Sequence, residues 1–273
     1  MAIITISREL AALGDETAQE LAKRLGCRFV DKQSLEARIK SYGIAGRKFE
    51  KYDERKPSLW ASLSQDRDEY FHYLKTAMLA EAGEGSAVFI GRGAGAVFKG
   101  MPGLVSVFLV APLEIRAERV KSYFHCDDRR ARQIIEQSDR DREGFHRNFF
   151  NIEWKDSANY HLTLNTGHLH PAVSAELIQY LRDQSVDDDA EERNSQRLKE
   201  MTLGQRVVHR ILYEKAVNIH FLEAAVSGTT VSLYGVANSP ALVEAAVCAA
   251  REAASGAEIR PEIQVVHEYG IVP

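Results

Sequence analysis

Cysteine is scarce in this chain: three in 273 residues, at Cys27, Cys126 and Cys248. They lie far apart and form no CxxC or metal-ligand spacing, which argues against a disulfide framework or a zinc site. They read instead as reduced thiols of a cytoplasmic protein. No apolar run approaches the roughly 20 residues that cross a bilayer, so no transmembrane segment is expected. The opening apolar run is short, lacks a basic flank and is broken by Arg8, unlike an export signal. Excess positive charge is missing too: 35 Lys and Arg stand against 39 Asp and Glu, a formal net charge of -4, which argues against a general nucleic-acid binder. His125, His146, His161, His168 and His170 have no HxxxH or carboxylate partners at ligand spacing, so no metal centre is expected. With 45% hydrophobic and 27% charged residues, the composition is that of an ordinary globular protein.

The pattern upstream is an alternation of strands and helices. Residues 3–6, 27–30, 87–90, 105–110 and 162–165 read as strands, several of them continuous apolar runs suited to a parallel sheet buried on both faces. Helices are predicted over 17–25, from Gln33, and over 67–80, 113–123, 128–142 and 171–182. Such a succession specifies a doubly wound α/β domain, assigned to residues 1–183. Residues 184–200 include the acidic run Asp187-Asp188-Asp189-Ala190-Glu191-Glu192, read as an exposed linker, with a solvated helix face as the alternative. From 201 to 273 a helix (203–213), two alternating runs (217–225 and 229–236) joined through Ser227-Gly228, a helix opened by Ser239-Pro240, and a last strand (258–266) make a small α-β-β-α-β domain.

The first strand feeds a short loop and then a helix, the layout in which backbone N–H groups and a helix N-terminus hold phosphate. Glycine and lysine are what this loop lacks. GxxxxGK[ST] is the phosphate-loop pattern, whereas Leu10-Ala11-Ala12-Leu13-Gly14-Asp15-Glu16 has one Gly, no Lys and two carboxylates. Side chains at Ala11, Ala12 and Leu13 disfavour the positive φ angles of a phosphate nest, so the loop is expected to have lost its grip on a triphosphate.

Several motifs occur in order: Ile4-Thr5-Ile6-Ser7-Arg8-Glu9, Phe29-Val30-Asp31-Lys32, Phe89-Ile90-Gly91-Arg92-Gly93, the run from Phe108 through Leu113-Glu114-Ile115-Arg116 to Arg119, Asp139-Arg140-Asp141-Arg142, and Tyr160 to Thr166. Together they make residues 3–182 resemble the cytidylate kinase-like branch of the nucleoside monophosphate kinases, of P-loop kinase fold. The resemblance implies a phosphotransferase using ATP and Mg2+ on a small nucleotide or phosphorylated acceptor. It implies that Ser7, Arg8 and Gly14 contact the nucleotide, that Asp31 and Arg92 contact the acceptor, and that Arg116, Arg119, Asp139, Arg140 and Arg142 act on the transferred group. Several have a plainer reading, Arg92 among them as a surface side chain in a Gly-rich turn. Asp31 suits a helix N-cap, Arg116 and Arg119 a solvated helix face, and Asp139 with Arg142 an i,i+3 surface pair. In the cytidylate kinases proper an acidic residue follows the Arg at 92; here it is Gly93.

Residues 201–273 resemble the BON module, which implies a protein partner or self-association. Two functional expectations follow: a kinase with a degraded phosphate loop, or a catalytically dead sensor of nucleotide or phosphate that signals through the second domain.

Overall fold

The computed structural model describes residues 2–42 and 64–266. The chain divides into two compact units, residues 1–195 and 196–273.

The first unit is built on β1 (Ile3–Arg8), β2 (Arg28–Val30), β3 (Ala87–Ile90), β4 (Leu104–Val110) and β5 (Leu162–Asn165). All pair in parallel in the order β2-β3-β1-β4-β5, so β1 lies at the centre. This is the doubly wound sheet expected from the succession of strands and helices. Between the strands run α1 (Gly14–Leu25), α2 (Lys32–Ser41), α3 (Ser64–Gly83), α4 (Ala94–Val97), α5 (Leu113–Phe124) and α6 (Asp128–Phe150), and α7 (Pro171–Ser185) follows β5.

Period-2 alternation sorts each strand between the two faces. Ile4, Ile6, Val88, Ile90, Val105, Val107 and Leu109 pack with Ala18 and Leu21 of α1 and with Ala175 and Ile178 of α7. Each such aliphatic side chain contributes about 1.5–3 kcal/mol on full burial. On the opposite face Phe89 meets Phe98 at 5.0 Å between centroids, and Phe108 stacks on Tyr160 at 4.9 Å. Helix α6 runs eight residues beyond the expected end at 142, and Phe145, Phe149 and Phe150 join Phe71 of α3 in an aromatic cluster.

The acidic stretch expected to be a linker is helical. Helix α8 (Asp188–His209) starts where the Asp187 carboxylate accepts the Ala190 N–H at 2.7 Å, and Ala190, Asn194 and Leu198 form a buried stripe at i, i+4 and i+8. One of the three is polar, which hides the helical period from a hydropathy reading. The solvated-face alternative is therefore the one observed.

In the second unit α8 ends in a π-helical turn, Arg210–Glu214. Strands β6 (His220–Ser227) and β7 (Thr230–Ala237) form the expected hairpin, though β6 starts three residues later than the alternation suggested. Helix α9 (Pro240–Ala253) leads to β8 (Glu258–Val265), which pairs parallel to β7. Val207, Ile211, Val231, Leu233, Ala246 and Ala250 form its core.

Candidate active site at the carboxyl edge of the sheet

In an open parallel sheet, ligands bind beyond the carboxyl ends of the strands. The segments leaving β1, β3, β4 and β5 meet there, and most of the residues singled out in the sequence lie among them.

The loop after β1 keeps a bent backbone without glycine. Ala11 (φ 61°) and Leu13 (φ 53°) are both left-handed, and Leu13 forms the N-cap of α1 with no side-chain cap. The loop thus adopts positive φ angles that its Cβ atoms disfavour. Left-handed geometry costs an L-residue roughly 1–2 kcal/mol, and neighbouring side chains oppose that cost. Arg119 donates from Nη1 to the Ala11 carbonyl at 2.9 Å and from Nη2 to the Thr166 carbonyl at 2.7 Å. The Thr166 hydroxyl donates to the Ala12 carbonyl at 2.9 Å, and that of Thr17 to the Leu13 carbonyl at 2.7 Å. Hydrogen bonds to charged groups contribute about 1.5–3 kcal/mol and neutral ones about 0.5–1.5. The brace therefore outweighs the strain.

Arg116 and Asp139 complete it. Both are buried, and Arg116 Nη1 donates to Asp139 Oδ2 at 2.6 Å. Asp139 Oδ1 accepts the Leu10 N–H at 2.9 Å. Arg116 Nε donates to the Ala111 carbonyl at 3.0 Å, while Glu9 Oε2 lies 3.5 Å from Nε and accepts the Ala111 N–H. Burial pulls the Arg119 pKa below the usual guanidinium range, and the Glu16 carboxylate opposes that shift. Arg116 and Arg119 are thus committed to loop carbonyls rather than to a solvated helix face. Glu9 and Thr166 were missed as members of this group; no local spacing marks them.

The rest of the predicted set divides. Arg142 Nη1 donates to the Ser138 hydroxyl at 2.8 Å and lies 3.6 Å from Asp139, so the expected i,i+3 pair exists, although it is largely buried. Arg140 stands apart, exposed and paired with Glu136 at 3.0 Å. Arg8 lays its stem across Gly14, where an added Cβ would come within 2.4 Å of Arg8 Cγ, and its guanidinium reaches 4.0 Å from the exposed Asp15 carboxylate. Ser7 accepts a hydrogen bond from Trp154 Nε1 at 2.7 Å. Asp31 caps α2, accepting the Ser34 N–H at 2.9 Å.

Arg92 belongs to a second group. It is the middle of three successive left-handed residues after β3, with φ values of 70°, 54° and 72° from Gly91 to Gly93. Its side chain is buried, 3.6 Å from Glu36 of α2. At Gly93 an added Cβ would fall 2.1 Å from the Phe150 ring, which fills the space an acidic side chain would need.

Comparison with known proteins bears on this arrangement. A family model described as the cytidylate kinase-like family matches residues 3–168. Among solved structures, an uncharacterized protein from Eubacterium ventriosum superposes with a TM-score of 0.54 at 19% identity, over 67% of this chain and 99% of that one. A shikimate kinase from Bacteroides thetaiotaomicron gives 0.39 at 17% identity, over 67% and 97% of the two chains. Another, from Acinetobacter baumannii in complex with shikimate, gives 0.40 at 15%, over 68% and 96%. The first match bears on the fold alone, and the two shikimate kinases are too distant to add to it. No curated protein matches the chain.

Proposed function

The chain belongs to the cytidylate kinase-like family, and from that premise we propose that its first unit is a nucleotide phosphotransferase whose grip on the triphosphate is weakened by charge, not by loop shape. One observation carries this reading: Ala11 and Leu13 keep left-handed geometry ahead of an α1 N-terminus that no side chain caps. The first-turn amides of Gly14, Asp15 and Glu16 have no intrahelical acceptor, the arrangement that favours phosphate. An ATP phosphate chain fits that backbone, while the Asp15 and Glu16 carboxylates oppose its charge. Thr17 is buried and its hydroxyl is committed to the Leu13 carbonyl, so Mg2+ would be carried by the phosphates and would neutralise their charge when bound.

In this proposal Arg92 holds the phosphate of a nucleoside monophosphate acceptor. Arg8 and Gly14 meet the donor nucleotide, with Ser7 holding the end of β1 in place. Asp31 sets the start of α2 beside the acceptor. Arg142 and Arg140 steady charge on the transferred group, while Arg116, Arg119 and Asp139 hold the loop to its shape. Turnover of CMP, UMP or dCMP with ATP and Mg2+ is the direct test. Absence of product across that panel at high enzyme concentration would remove catalysis from the account.

A second reading is favoured by a specific observation: Arg116 and Arg119 give their donors to the chain itself, at Ala111, Asp139, Ala11 and Thr166. A nucleotide or phosphate sensor needs binding without charge stabilisation during transfer. Its signal would pass through residues 201–273, whose α-β-β-α-β order supports the BON-like reading and a protein partner or self-association. Three free cysteines favour a cytoplasmic setting. Among the described residues no helix is long and apolar enough to cross a membrane. Calorimetry with CMP should find binding that Arg92→Ala weakens by at least roughly tenfold, since a charge-assisted bond contributes about 1.5–3 kcal/mol. Unchanged affinity would take Arg92 out of the site under either reading.

A further inference from the structure

We infer that the sheet face opposite α1 and α7 carries a small-molecule site, a cavity of about 300 Å3 suited to a hydroxylated anion. The starting point is a pair of hydroxyls where apolar side chains would pack better. Thr5 and Ser106 are cross-strand partners in the central strands β1 and β4, and are 3% and 4% exposed. Their sequence neighbours Ile4, Ile6, Val105 and Val107 face the α1 and α7 core, so the two hydroxyl-bearing side chains share the other face. A buried hydroxyl is costly unless it is paired. Ser106 Oγ reaches only the Asn159 carbonyl, at 3.4 Å, and the Thr5 hydroxyl has no hydrogen-bond partner among the described residues. Both residues line the cavity.

Space is kept open beside them. An added Cβ on Gly95, another lining residue, would fall 3.2 Å from Thr5 Oγ1. Exposure runs along the cavity: Lys99 and His161 are exposed, whereas Thr5, Ser106, Met101 and Leu104 are buried. The first pair therefore marks the mouth and the second group the floor and walls.

Chemistry follows the same axis. The described lining contains no Asp or Glu, and Lys99 has no ion-pair partner among the described residues. His161 Nδ1 accepts the Ser106 N–H at 3.0 Å, which leaves Nε2 as the proton-bearing nitrogen. Donors at the mouth, hydroxyls at the floor and apolar walls between them suit a small molecule with an anionic head and a hydroxylated body. At about 30 Å3 of liquid per water, the volume equals roughly ten waters, enough for a compact sugar acid. Ser7, Gly91 and Gly93 also line it, so the cavity runs up to the turn that carries Arg92, and variants at Thr5 and Lys99 are what separate this inference from the nucleotide reading.

D-gluconate supplies both features, D-sorbitol keeps the hydroxyls without the charge, and hexanoate keeps the charge without the hydroxyls. Each should be titrated against the whole isotope-labelled chain, with backbone amides followed by NMR. Saturable gluconate binding centred on Gly95 and Ser106 is expected, at least tenfold tighter than either control. Lys99→Met, at the surface, and the near-isosteric Thr5→Val should each weaken it at least tenfold. Absence of saturable binding overturns the proposal. So does binding that either variant leaves unchanged, hexanoate or sorbitol matching gluconate, or perturbation confined to the Gly14–Thr17 turn.

Discussion

Leu10 gives its backbone N–H to the Asp139 carboxylate at 2.9 Å, across 129 positions of sequence. Asp139 also takes Arg116, at 2.6 Å, so one carboxylate joins the loop after β1 to α5 and α6. A residue expected to act on substrate thus serves the loop's architecture.

Asp139→Ala removes both bonds and leaves the Arg116 charge buried. Loss of one member of a buried ion pair costs about 3–5 kcal/mol. Urea unfolding should register that loss, while Asp139→Asn, which retains an acceptor for Leu10, should lose less. Equal losses in the two variants would indicate that the Leu10 bond adds nothing.

The brace and the backbone strain should be coupled. Arg119→Ala is expected to destabilise the first unit, and to do so less in an Ala11→Gly background, where left-handed geometry is free. Contacting residues couple by about 0.5–3 kcal/mol in double-mutant cycles. Additive effects would mean that Arg119 does not hold Ala11 in place.

Charge and shape can be separated at the loop itself. Asp15→Ala should tighten ADP binding by roughly twofold to fivefold, the range of an exposed charge interaction, with the gain shrinking at high salt. Leu13→Gly alone should change affinity little, because the backbone already adopts the required turn. The reverse pattern in calorimetry would put the defect back in the missing glycines.

Tyr160 gives the first unit an alkaline limit. Burial raises its pKa from 10.0 to about 12, with a Ser7 hydrogen bond acting in the lowering direction. Between those values the folded chain retains a proton that the unfolded chain has released, so stability falls as pH rises. The contribution is complete below pH 10 and is lost by about pH 12, amounting to roughly 2–3 kcal/mol at about 1.4 kcal/mol per unit. Tyr160→Phe should flatten that decline in urea midpoints measured across the window.

The sheet was legible because runs such as Val107–Val110 are apolar on both faces, and α1 because Ala18, Leu21 and Leu25 recur on one side above a closing Gly26. Helix α8 was harder: its buried stripe includes Asn194, and its opening turns are acidic. The loop misled in a more instructive way. Propensity at Ala11 and Leu13 is local, whereas the groups that override it come from Arg119, Asp139 and Thr166, more than a hundred residues away. Long-range hydrogen bonds leave no periodic trace. The pair Thr5 and Ser106 was visible as two polar breaks in apolar strands, but only the register β1↔β4 sets them side by side.

Gly93 and Phe150 constrain each other. Grafting an acid at 93 alone would drive it into the aromatic ring; trimming the ring alone would leave an empty slot beside a backbone turn fixed at φ 72°. Any substitution that installs an acid at 93 must therefore make room at 150 in the same step, so the space beside this turn is set at the end of α6 as much as at the turn itself.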